Sequence, residues 1–128
     1  MLTRQEIIED ITNSFGFVPD WLNDMPDKVL EQYWDNHVWS CNDSKLLHRD
    51  KVLIAFGAAA ALNCGYRTPF HTAQMRLHGF DDDQIKEAGW VVQNVAGASA
   101  YLYGVGYSQE KFLRELGALV KYIIKSHA

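Results

Sequence analysis

The sequence predicts an all-α protein. Apolar residues recur at three- and four-residue spacing in segment after segment, and no segment shows the two-residue alternation of a half-buried strand. Residues suited to capping stand where the periodic runs begin and end. The chain has 128 residues, a length that one core serves, so a single domain over residues 1–128 is expected. A hydrophobic share of 48% supplies material for a sizeable core and excludes disorder as the dominant state.

Thr3-Arg4-Gln5-Glu6 has the form of a capping box, and Ile7, Ile8 and Ile11 follow on one face, which predicts a first helix over about residues 4–14. Phe15-Gly16-Phe17-Val18-Pro19 ends it as an apolar loop, and Asp20 is placed to cap a short turn through Trp21 and Leu22. A second helix starts at Pro26, a residue suited to a first turn, and carries the stripe Val29, Leu30, Tyr33, Trp34, His37, Val38 and Cys41. The third, about 48–63, is almost uniformly small or apolar after Lys51, which predicts a central position in the core or at a subunit interface. A break at Asn63-Cys64-Gly65 precedes a fourth helix, about 66–78, closed by Gly79 in a left-handed cap. Asp81-Asp82-Asp83 opens the fifth, which runs through or breaks at Gly97, and Gly104 to Tyr107 form a turn. Ser108 caps the last helix, striped by Phe112, Leu113, Leu116, Leu119, Val120, Ile123 and Ile124.

A net charge of −4 with scattered basic residues excludes a nucleic-acid or anionic-membrane surface as the expected partner. The longest apolar run, Val52 to Leu62, is about half of what a bilayer needs. Met1-Leu2-Thr3-Arg4 leads straight into a polar periodic segment with no signal-like character, and a soluble cytoplasmic protein is expected. Cys41 and Cys64 bracket the third helix, whose about fifteen residues rise about 22 Å. A disulfide needs Cα atoms within about 7 Å, so these two are not expected to pair within one chain.

The chemistry gathers between Arg49 and Phe80. Cys64 stands at the start of a helix, where free N–H groups and the helix dipole lower a thiol pKa, and Arg67 and His71 follow on about the same face. A buried, inert cysteine is the plain alternative. His71 is placed to act as general acid or base, directly or through a water. His71 and His78 lie about 10 Å apart along a helix, too far to share one metal, so no zinc site is expected. Capping accounts for the aspartate trio, and His37 fits a structural stripe. Tyr66, Phe70, Trp90, Tyr101, Tyr103 and Tyr107 are expected to pack in the core or at an interface.

Phe15 to Pro19, the stretch HRDKVLIAFGAAAALNCGYRTPFHTAQMRLHGF and the following DDDQIKEA resemble the carboxymuconolactone decarboxylase and alkylhydroperoxidase D-like superfamily. The resemblance covers about residues 15–90 and is most specific over 49–88. It implies a bundle of about six helices and assembly into homotrimers or hexamers. In the peroxidase branch the motif is a glutamate, eleven residues, then C-x-x-C-x-x-x-H. The two thiols form a redox disulfide there, and the glutamate and histidine relay protons. Cys64 and His71 match that pattern, whereas Arg67 stands at the second cysteine and Val52 at the glutamate.

The dithiol cycle is therefore not expected. A one-cysteine peroxidase remains, with Cys64 as nucleophile, His71 as acid/base, Arg67 as electrostatic support and an external thiol as reductant. The decarboxylase branch implies instead a cofactor-free lyase on a small carboxylated substrate, with Arg67 as carboxylate clamp and His71 moving the proton. A third reading is a non-catalytic oligomeric binding protein. None of the three needs a cofactor or a metal.

Overall fold

The computed structural model describes residues 2–127, and every regular element among them is an α-helix. These are α1 (Arg4–Phe15), α2 (Asp20–Asn23), α3 (Asp27–Ser40), α4 (His48–Ala61), α5 (Arg67–Leu77), α6 (Asp82–Gly104) and α7 (Gln109–Ser126). The all-α class holds, and the helix beyond the expected count is the four-residue α2.

Local chemistry sets the ends. Thr3 Oγ1 accepts the Glu6 N–H at 3.2 Å, while the Glu6 carboxylate accepts from the Thr3 hydroxyl. At the other end of α1, Gly16 takes φ 84° and its N–H donates to Thr12 O, so a residue without Cβ closes the helix in the left-handed region. Asp20 lies inside α2, with Pro19 in the capping position, and Pro26 likewise precedes α3 rather than joining its first turn. Asp81 and Gln84 form a reciprocal capping box at α6, with N–H···O distances of 2.8 and 2.9 Å. Capping is thus what opens that helix. α6 passes through Gly97 unbroken and ends at Gly104.

The chain gathers into two compact units, Met1–Ala55 and Phe56–Ala128. In the first, Ile7, Ile11, Leu22, Leu30 and Trp34 form the core, with α1 packed on α3. Trp34 Nε1 donates to Asp10 Oδ2 at 2.6 Å, which satisfies the one polar atom of a buried indole. His37 stacks on Trp34 with ring centroids 4.8 Å apart and reaches Cys41 Sγ at 3.5 Å. Arg4 binds the α2–α3 connection through Asn23 O, Met25 O and Asp27. Lys51 is buried, and its ammonium donates to Trp39 O at 3.0 Å and Asn42 O at 2.8 Å, at the negative end of α3.

In the second unit Phe56, Ala59, His71 and Met75 are buried, whereas α6 and α7 bury no residue. Apolar side chains also stand open on the single chain. Ile54 on α4 and Leu62 just past its end are exposed, although the helix is almost uniformly small or apolar after Lys51. Tyr66, Trp90, Tyr101 and Tyr103 are exposed within the single chain. Apolar composition alone does not say which of these side chains the single chain buries.

Candidate functional site

Cys64 is placed by the way α4 ends. Asn63 adopts φ 54°, its N–H donates to Ala60 O, and the Cys64 N–H reaches back to Ala59 O at 3.0 Å. These paired bonds are a Schellman closure with asparagine in the left-handed position that glycine usually fills. The chain turns sharply and delivers Cys64 to the start of the next helix.

There the thiol takes over the task of a capping oxygen. Cys64 O accepts the Thr68 N–H at 3.2 Å, and Cys64 Sγ accepts the Arg67 N–H at 3.3 Å. Tyr66 already has helical dihedrals, so by its bonds the first turn of α5 opens at Cys64. The Arg67 N–H, then the Tyr66 N–H, hold the partly exposed thiol below its ordinary value. Partial desolvation opposes them, and the Arg67 charge adds to the lowering. A sulfur that receives backbone N–H groups at a helix N-terminus is stabilised as thiolate.

His71 lies on the second turn of α5 and is 8% exposed. Its Nδ1 pairs with Gln74 Oε1 at 2.7 Å. With the amide oxygen accepting, Nδ1 carries the proton and Nε2 keeps its lone pair. Burial pushes the imidazole below its usual pKa, the Gln74 bond pulls it back up, and the Arg67 charge lowers it further. His71 is therefore a neutral base at neutral pH. Arg67 links the two groups: its backbone caps the thiol, and its guanidinium lies 4.6 Å over the Phe70 ring, which meets His71 edge-on at 5.2 Å.

The three residues read from the sequence thus lie within about two turns, from the capping position of α5 to its second turn. The hydrogen bonds of Cys64 and His71 go to different partners, Arg67 and Gln74. Gln74 was not foreseen, although its spacing of three from His71 on a helix is what brings two side chains together. Val52, at the position of the relay glutamate, is buried. Cys41 and Cys64 are both free thiols. Among the described residues no three His, Cys, Asp or Glu side chains stand close enough to hold a metal ion, and no helix is long and apolar enough to cross a membrane.

The model of the carboxymuconolactone decarboxylase family matches residues 27–110, from the start of α3 into the first turn of α7. No curated protein and no solved structure matches the chain.

Proposed function

The chain belongs to the carboxymuconolactone decarboxylase family, and from that premise we propose that it is a one-cysteine, thiol-dependent peroxidase with Cys64 as nucleophile. The observation that supports this is the hydrogen bond from the Arg67 N–H to Cys64 Sγ, which puts a sulfur where a helix best stabilises an anion. His71 Nε2 accepts the thiol proton. The thiolate attacks one peroxide oxygen, the O–O bond breaks, sulfur is oxidised to a sulfenic acid, and the departing alkoxide takes the proton back from His71. A small thiol then condenses with the sulfenic acid, releasing water, and a second thiol cleaves the mixed disulfide. The sum is one hydroperoxide and two thiols giving one alcohol, one water and one disulfide. With Arg67 at the second cysteine position, the resolving thiol comes from outside the chain.

Sulfenic acid trapping with dimedone after treatment with hydrogen peroxide or cumene hydroperoxide tests the reading. Adduct at Cys64 but not at Cys41, and peroxide consumption that dithiothreitol or glutathione sustains and Cys64→Ser abolishes, are expected. Cys64 alkylating no faster than a free thiol, with no peroxide consumed under either reductant, would overturn it.

A cofactor-free lyase is favoured by one observation, the Arg67 guanidinium stacked over Phe70 with its charge beside the neutral His71. That reading predicts that Arg67→Ala abolishes binding of small dicarboxylates while Cys64→Ser leaves it unchanged.

A further inference from the structure

Cys64, Arg67, Phe70 and His71 all belong to one compact unit, Phe56–Ala128, so their mutual placement is set within it. Arg67 starts α5, and its backbone N–H donates to the Cys64 sulfur at 3.3 Å. Its guanidinium carbon lies 4.6 Å from the centroid of the Phe70 ring, and that ring meets His71 edge-on at 5.2 Å. The cation is thereby held beside both the thiol and the imidazole, and its charge acts on each. Stacking engages the flat face of a guanidinium and not its in-plane N–H fork, which is the part that grips a carboxylate. A long side chain fixed in this way has less freedom left to lose when it binds.

We propose that Arg67 selects the reductant: the external thiol that resolves oxidised Cys64 carries a carboxylate, which the Arg67 guanidinium grips while the thiol sulfur reaches Cys64. The selection rests on Cys64 acting as the peroxide-reducing thiol. Arg67 stands at the second cysteine position of the dithiol pattern. Position 67 then recruits from outside the thiol that the dithiol pattern supplies from the chain itself. The bound thiolate attacks the sulfenic sulfur of Cys64. An S–S bond forms, the S–O bond breaks, and hydroxide leaves as water with the proton that the thiol gave up. A second thiol of the same kind cleaves the mixed disulfide, returning Cys64 as a thiol and releasing the small-molecule disulfide.

Single-turnover resolution in a Cys41→Ser background tests the proposal. One equivalent of hydrogen peroxide oxidises Cys64, and dimedone trapping of an aliquot verifies the sulfenic acid. Quenched-flow mass spectrometry then follows the mixed disulfide formed with 3-mercaptopropionate, 2-mercaptoethanol or cysteamine. Hydrogen peroxide carries no carboxylate, so the first step is the same for all three thiols. The rate ratio of mercaptopropionate to mercaptoethanol should be roughly tenfold higher with Arg67 present than in Arg67→Ala, a comparison in which the thiols' intrinsic reactivities cancel. Cysteamine, a cation, should show the opposite dependence on Arg67. In about 1 M potassium chloride, where the Debye length is about 3 Å, the ratio should shrink. Arg67→Lys, a charge without the planar fork, should keep a smaller preference. A ratio that Arg67→Ala leaves unchanged overturns selection by Arg67 and leaves the peroxidase reading standing. If no sulfenic acid forms at Cys64 in the first step, the peroxidase reading falls and selection by Arg67 falls with it.

Discussion

Cys64 and His71 are shifted in the same direction by different causes. Backbone N–H groups lower the thiol, and burial lowers the imidazole. The expected outcome at Cys64 is an iodoacetamide rate whose pH midpoint lies below the about 8.5 of a free thiol, followed by mass spectrometry of the two cysteines. Folding favours the neutral form of His71, so its contribution to stability is complete above the usual imidazole value of about 6.5. As pH falls from there towards the lower folded value, the unfolded chain takes up the proton first and stability is lost. His71→Gln should flatten that acid-side slope of the urea midpoint. Gln74 is a positioning residue by this logic. Gln74→Leu leaves a buried Nδ1–H without its acceptor, at a cost of about 1–3 kcal/mol, and frees the ring to take the other tautomer. The imidazole pKa, followed by NMR, should fall further, since the Gln74 bond is what raises it. The peroxide reaction should slow without loss of Cys64 thiolate.

At the scale of the helix, the site depends on one residue in the left-handed region. Asn63 tolerates φ 54° because its short polar side chain suits that conformation, and a β-branched residue does not. Asn63→Val is expected to cost about 1–2 kcal/mol and to move Cys64 off the helix start. Its alkylation rate should drop with the thermal midpoint, whereas Asn63→Gly should leave both near wild type. Helix ends of this kind were legible in the sequence because capping is local: Thr3, Asp81, Ser108, Gly16 and Gly79 each act within four residues. The break at Asn63-Cys64-Gly65 was legible too, though not that asparagine rather than Gly65 would take the positive φ. What a helix meets was not legible. Lys51 is buried because α3 ends in carbonyls that its ammonium can reach, a fact of packing that no spacing within α4 encodes. Which aromatics of α6 the single chain leaves exposed is a fact of the same kind.

For the molecule as a whole, stability is unevenly distributed. Ile11, Leu22, Leu30 and Trp34 are almost wholly enclosed, while the forty-one residues of α6 and α7, 23 and 18 long, enclose none of their own side chains. Truncating the core should therefore act at any protein concentration: Leu30→Ala is expected to cost about 2–5 kcal/mol, the transfer term plus the cavity left behind. Differential scanning fluorimetry over a hundredfold dilution series checks it: the Leu30→Ala deficit should persist unchanged at every concentration, because Leu30 is wholly buried within one folded chain and the cavity it leaves cannot be filled by association.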